Sequence, residues 1–376
     1  MKIIRWGLIM IGITSLFDAQ QPTLLLKLEL KNSLSISRNL QSVEIPYHKV
    51  KILSGKNFTI TEVSTKNEVP YQWLANGNLL IQEDFNTKET KKIEFYQTPS
   101  KSFTPKVYGR FVPERLGDFA WENDKIAFRM YGKELEKVPE QNGWGMDAWA
   151  KRSNRMVINE WYKLNNYHQD NGDGLDFFQV GNTLGAGDIL PFINENFVYL
   201  GNYTSYKIIE EGPLRFTFEL SYSEVKKDGY KIMAVKRLSL DAGSQLNKSV
   251  VTYQFSGRKT LPVFAGIVHW NGKGEKTLDQ DNHLAVYWPE NSKNGIVGTA
   301  ILFLNTDYPI VDKQKHLGSE INLKNKQPVV FYAGAVWNQS GEITSQKDWQ
   351  KYLQEFSLKL KYPIQISKYK KQNPDQ

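Results

Sequence analysis

The sequence predicts an all-β protein: an antiparallel β-sandwich with one C-terminal helix and a long irregular segment that carries the site. Three observations predict it. Apolar and polar residues alternate with a period of two in many short runs, the mark of strands with one buried face. Turn-forming residues separate those runs. Only one segment has the three-and-four spacing of an amphipathic helix.

The runs can be taken in order. Leu26–Leu30, Phe58–Val63, Leu79–Gln82 and Lys92–Tyr96 make a first group, rich in Lys, Thr and Asn. Later, Leu214, Phe216, Phe218, Leu220 and Tyr222 alternate with Arg215, Thr217, Glu219 and Ser221. Lys231–Leu240, Ser249–Phe255, Val263–Val268, Ile296–Leu304 and Val329–Tyr332 continue the pattern. Asn76-Gly77-Asn78, Lys227-Asp228-Gly229, Asp241-Ala242-Gly243 and Asn271-Gly272 are the expected turns. Ser345 can cap the helix, with Trp349, Tyr352, Leu353 and Phe356 on its apolar face. A boundary is expected near residues 99–102. It divides an N-terminal β unit (20–100) from a main sandwich domain (101–376) that carries the site.

At 376 residues the chain is long enough for a large core, and its 40 % hydrophobic and 23 % charged content is that of a globular protein. It has no cysteine, which excludes disulfides, thiolate metal sites, a cysteine nucleophile and a lipidated cysteine. Lys+Arg 48 against Asp+Glu 40 gives +8, a balance that favours anionic partners or simply a soluble surface. Met1-Lys2-Ile3-Ile4-Arg5 followed by the apolar run Trp6–Phe17 reads as a signal peptide (1–19) cut after Ala19, too short to span a bilayer. Export to the periplasm or beyond is therefore expected, with no membrane span, no nucleic acid and an acidic carbohydrate as partner.

Between Tyr108 and Tyr203 the alternation disappears while aromatics, Gly, Asp and Asn become dense. A long irregular stretch of this kind in a β protein usually carries function. No P-loop, HExxH or GxSxG occurs, and Gly181–Gly187 reads as a loop whose backbone approaches something closely. Tyr167–Asp176 resembles an EF-hand, but the glycine is misplaced and Gly181 stands at the twelfth position. A looser Ca²⁺ site at Asp170–Asp176 competes with a network of Asx turns, which is favoured; no cofactor and no metal are assigned. His168 lies in this polar loop and His269 ends an apolar strand, so the two could meet as an acid and a base. His48, His283 and His316 read as structural. Arg115, Arg129, Lys151, Arg152 and Arg155 can bind carboxylates or sit on a solvated surface. Trp121, Trp144, Trp149 and Trp161 can stack on sugars or fill the core.

Pro113–Asp124, Ala127–Gly132, Tyr167–Gly174 and Val180–Gly187, with the late Tyr332–Trp337 and Trp349, resemble the family called domain of unknown function 4861 over most of the chain. Asp188 stands where that pattern has a second glycine. The resemblance implies a β-sandwich, of which the mutarotase-like supersandwich is one form. It implies action on uronic-acid-containing oligosaccharides of the ulvan or pectin type, and a functional partnership with unsaturated glucuronyl hydrolases. The implied enzyme is a carbon–oxygen lyase, removing water or a glycosidic bond at a terminal uronate. Such a reaction needs a cation on the carboxylate, a base for the C5 proton and an acid for the leaving oxygen. Arg152 is the first choice as neutraliser, with Arg115 and Lys151 behind it; His168 is the first choice as base or acid, with His269 or Tyr167 as its partner. Trp121, Trp144, Asp170, Asp173 and Tyr332 are expected to bind substrate. Two alternatives stay open: a glycoside hydrolase using two of Glu122, Asp124, Asp147, Asp170 and Asp173, and a non-catalytic glycan-binding sandwich.

Overall fold

A computed structural model describes residues 22–99, 101–164, 166–270 and 272–369. The signal-peptide expectation lies outside the described residues. The fold is an antiparallel β-sandwich, as expected. Its largest sheet has eight strands in the order Ser205–Glu211, Arg215–Lys227, Tyr230–Asp241, Leu246–Ser256, Pro328–Trp337, Val297–Phe303, Leu284–Trp288, Glu275–Asp279. The hairpin between the second and third turns on Asp228 and Gly229, both at positive φ, which matches the twist of the paired strands.

Two five-stranded sheets face this one across a shared core. Val107–Val112, Asp118–Asn123, Ala127–Met130, Asp147–Lys151 and Gly174–Leu175 form one; Asn196–Phe197, Asp188–Ile193, Thr260–Val268, His316–Lys324 and Val311–Lys313 form the other. Trp121 and Phe128 of the first, Ile189 and Val263 of the second, and Phe218, Tyr253 and Phe331 of the large sheet pack into one cluster. The helix Gln346–Lys361 lies on the opposite face of the large sheet, where Trp349 and Leu353 meet Leu284, Trp288 and Leu302. Ser345 caps it, its Oγ accepting from the Asp348 N–H at 3.2 Å.

The stretch expected to be irregular contains seven strands. Asp118–Asn123, Ala127–Met130, Asp147–Lys151 and Asp188–Ile193 are buried at every position, so both faces are covered and no alternation marks them. The ions they carry pair inside the fold, as Lys151 with Glu122 and Lys236 with Asp188 do, each at 2.7 Å. The helix Ile158–Leu164 was also unforeseen. Its start is held by Glu122, whose carboxylate accepts from the Val157 and Ile158 N–H groups at 2.9 Å each; a cap 35 residues away leaves no local signal. A single helical turn at Tyr47–Val50 was likewise missed.

Residues 22–99 form two small sheets around their own core of Leu28, Ile45, Phe58, Ile81 and Phe95. The chain returns to this unit at its end: Gln365–Lys368 pairs with Leu24–Lys31, and Ile364 joins its core. No helix among the described residues is long and apolar enough to cross a membrane.

Candidate functional site

The strands around Arg129 carry three aspartates into one buried cluster. Asp147 is its direct neighbour across the ladder, and Asp118 and Asp176 approach from adjoining elements. Arg129 donates from Nε and Nη2 to Asp147 Oδ2 at 2.9 and 2.5 Å, and from Nη2 to Asp176 Oδ2 at 3.3 Å. Asp118 Oδ2 lies 3.6 Å from Nη1. One guanidinium cannot balance three ionised carboxylates in a dry site. Burial pushes Asp118 up to about 6, raises Asp147 and raises Asp176 well above its ordinary value; the pull of Arg129 only partly offsets this. Burial and the neighbouring Asp147 thus favour the protonated form of Asp176. Its neighbour Asp147 binds the same Arg129 nitrogen, so the two carboxyls share one cation in the buried cluster.

Aromatic rings roof the cluster. Trp149, Tyr131 and Tyr167 surround Arg129 with their faces, and Tyr167 accepts a hydrogen bond from Arg115 Nε at 3.0 Å. His168 stands outside this roof, 65 % exposed. Its Nδ1 donates to the Asp176 carbonyl at 3.0 Å and lies 3.6 Å from the Asp176 carboxyl. His168 is thus the exposed residue next to the buried acid, bonded to its backbone.

Beyond Asp176 the chain forms one wall of an open groove of about 390 Å³. Phe177, Phe178, Trp270 and Tyr287 give it aromatic surface, and Lys273 and Glu290 give it charge. Trp270 Nε1 donates to the Gln179 carbonyl at 2.8 Å, locking the two walls together. Gly181 permits this approach: at φ 52°, a Cβ there would lie 3.1 Å from the Trp270 ring. Arg152 stacks on Trp337 at 4.6 Å, and Trp337 in turn meets Phe177. Arg152 also binds Asp170, which holds a turn by accepting from the Gly172 N–H at 2.9 Å.

His269 adjoins the groove through Val268 and Trp270. Its Nε2 is 2.7 Å from Asp312 Oδ1, and Lys276 binds the other Asp312 oxygen at 2.8 Å. Burial would raise Asp312, but the hydrogen bonds from Lys276 and His269 outweigh it and hold the carboxyl low. The two histidines expected to act as a pair have different carboxyl partners and share no hydrogen bond. They flank opposite ends of the Asp176–Gln179 segment, which at full extension is about 10 Å long.

Other expected contacts are corrected. Trp121 is fully buried and donates to Asn247 Oδ1 at 2.7 Å, so it is core and touches no ligand. Lys151 is equally buried, bound to Glu122 and to the Asn123 carbonyl at 2.7 Å each, and cannot neutralise a substrate. Trp144 stacks on Tyr199 in a separate shallow pocket with Lys133 and Asn182. Tyr332 lies on the opposite face of the large sheet, against Phe356 of the C-terminal helix. Asp173 binds Arg155 at 2.6 Å. With Asp170, Asp173 and Asp176 each held by a different arginine, their loop does not fit a Ca²⁺ ion, and no cluster of three or more His, Asp or Glu suited to a metal occurs among the described residues. Gly185 and Gly187 approach the Met146 backbone and Ala333, so the glycine-rich loop serves packing. His316 is structural: its Nδ1 bonds the Gln314 carbonyl, its Nε2 accepts from the Leu184 N–H at 3.2 Å, and burial pulls it down to about 4. Asp312 and the Phe177-Phe178 wall had not been singled out; the adjacent pair of phenylalanines in a polar loop was the available signal for the latter.

These features define an all-β sandwich with an aromatic surface groove beside a buried acid cluster. The family model described as "Domain of unknown function (DUF4861)" matches residues 30–366. A protein of Formosa agariphila called uncharacterized protein P7 is 31 % identical over 367 residues, covering 90 % of this chain and 92 % of its own. The chain belongs to the DUF4861 family. Among solved structures it resembles an α-mannosidase from Enterococcus faecalis V583, with TM-score 0.50 and 9 % identity over 92 % of this chain and 46 % of that one. It also matches a glycosyl hydrolase family 38 protein from Enterococcus faecalis, with TM-score 0.49 and 10 % identity over 93 % and 48 %. The chain spans about half the length of these two proteins, and the likeness is one of fold. The carbon–oxygen lyase expectation finds no counterpart here: the solved protein at TM-score 0.50 is an α-mannosidase by name, not a lyase.

Proposed function

We propose that this protein is an exported carbohydrate-active hydrolase that binds a uronate-containing oligosaccharide in the Phe177–Trp270 groove. The observation that carries this reading is the continuity of groove and acid. The segment whose phenylalanines wall the groove begins at Asp176, a carboxyl whose pKa burial raises. Aromatic faces suit sugar rings, and Arg152 and Lys273 suit their carboxylates. In hydrolysis a glycosidic C–O bond breaks and water supplies the new C–O bond. Asp176, through His168, provides the proton for the leaving oxygen, and Asp170, half-exposed beside Arg152, takes one from water. Incubation with uronate oligosaccharides, followed by mass and ultraviolet absorbance, tests this. Shorter products, each bond cut adding one water with no new absorbance, are expected. Absorbance near 235 nm, roughly, from an unsaturated uronate would overturn the hydrolase reading.

Burial of Asp118, Asp147 and Asp176 favours a second reading, a glycan-binding module without catalysis. It predicts saturable binding with the oligosaccharide mass unchanged. Export rests on the N-terminal basic and apolar pattern. The mature protein should begin near Gln20, and an intact Met1 on cytosolic protein would remove this part of the proposal.

A further inference from the structure

Away from the groove, a crevice of about 240 Å³ lies between the N-terminal unit, the outer face of the large sheet and the C-terminal helix. That volume is below the ~300–1,000 Å³ of drug-sized ligand sites and suits a single ring. Its floor follows from strand register. Ser239, Lys248 and Tyr332 are directly opposite one another on three adjacent strands, so their side chains stand in one row about 5 Å apart. Phe356 and Tyr352 of the helix close one side, with the Phe356 ring 5.3 Å from that of Tyr332.

Charge in the crevice is unequal. Arg215 is satisfied by Asp241 and Glu44, and Lys359 lies 3.6 Å from Glu355. Lys248 has no carboxylate partner among the described residues, and the Tyr332 hydroxyl makes no hydrogen bond there. One uncompensated ammonium beside an aromatic floor and a free hydroxyl calls for a ligand with an apolar face, a hydroxylated edge and one negative charge. The wall also holds Leu40 at φ 47°, a left-handed conformation unusual for leucine. A wider cleft of about 690 Å³, edged by Ser35, Ser37, Lys125 and Lys351, continues from the crevice and leaves room for further sugar units.

We propose that this crevice is a second carbohydrate subsite that takes one carboxylated sugar ring, packed in the corner of the T-shaped Tyr332–Phe356 pair with its carboxylate on Lys248. The proposal shares with the reading above only the class of ligand. The site is on the opposite face of the large sheet from the groove, so it holds a chain end without taking part in chemistry.

Calorimetric titration of the full chain with a glucuronate-terminated disaccharide tests it. Two sites are expected. Trp270→Ala, which disables the groove, should leave one. Adding Lys248→Gln to that variant should weaken the remaining site about tenfold or more. The matching glucose-terminated disaccharide should bind the crevice comparably weakly. Lys248 is exposed, so Lys248→Gln alone should keep the melting temperature and any turnover at the groove. Loss of all binding in Trp270→Ala, or unchanged affinity on adding Lys248→Gln, overturns the crevice. Failure of the groove reading looks different: the parent would then show a single site, unchanged by Trp270→Ala and weakened by Lys248→Gln.

Discussion

Asp176→Asn should abolish most turnover on the oligosaccharide while leaving the protein folded. Burial raises the Asp176 pKa and favours its protonated form, whose shape and donor capacity an amide nearly matches. The amide oxygen can still accept from Arg129, and the backbone N–H of residue 176 still reaches the Tyr167 carbonyl at 2.7 Å. Stability should change by less than about 1 kcal/mol. The amide cannot release a proton, so turnover should fall about 10²–10⁴-fold if Asp176 is the acid. In the proposed mechanism His168 carries the proton between that carboxyl and solvent, so His168→Ala should lose activity on the same scale. Steady-state kinetics alongside urea unfolding separates the effects. An Asp176→Asn protein with normal turnover would leave the aspartate a purely structural role and remove the proposed acid.

Arg129→Met should be the most destabilising single change in the molecule's polar interior. It removes the one cation that Asp118, Asp147 and Asp176 share. Deleting one partner of a buried ionic group costs about 3–5 kcal/mol. The loss should depend on pH. Each carboxyl already has a folded pKa above its unfolded value, and removing the guanidinium raises it further. Between the unfolded value and the raised folded value the folded state binds more protons, so stability rises as pH falls. The gap between Arg129→Met and the parent should therefore narrow from pH 7.5 to pH 5. In the parent, the rise contributed by Asp118 runs from about pH 6 downward, and Asp118→Asn should remove it. Urea unfolding across that range measures both. A pH-independent gap, or one under about 1 kcal/mol, would mean that the cluster is already neutral without its arginine.

How much of this molecule is visible in its sequence depends on where each residue's partners lie. The half-buried strands were legible because a strand with one wet face records its environment every second residue, as Tyr230–Asp241 and Leu246–Ser256 do. The capped C-terminal helix was legible for the same reason at a period of 3.6. Asp118–Asn123 and Asp147–Lys151 were not, since burial on both faces erases that record. The site was legible only as a neighbourhood. His168, Tyr167 and Arg115 border the acid cluster and Arg152 pairs with Asp170, but Trp121 and Lys151, from the same dense stretch, point into the core. Chain position alone could not separate them, because adjacent residues on a strand face opposite ways.

Alone, the sequence determined the all-β class, the turns, the helix and, by resemblance, the family. These follow from local periodicity, backbone preferences and motifs that need no distant partner. Only tertiary structure decided which charges are buried and which reach solvent. Arg129 meets Asp176 across 47 residues, His269 meets Asp312 across 43, and Tyr332 lies on the far face of the sheet, beside a helix that begins 14 residues after it. Protonation, desolvation and access are properties of such meetings, because the energy of a charge depends on what surrounds it in space and not on its neighbours along the chain.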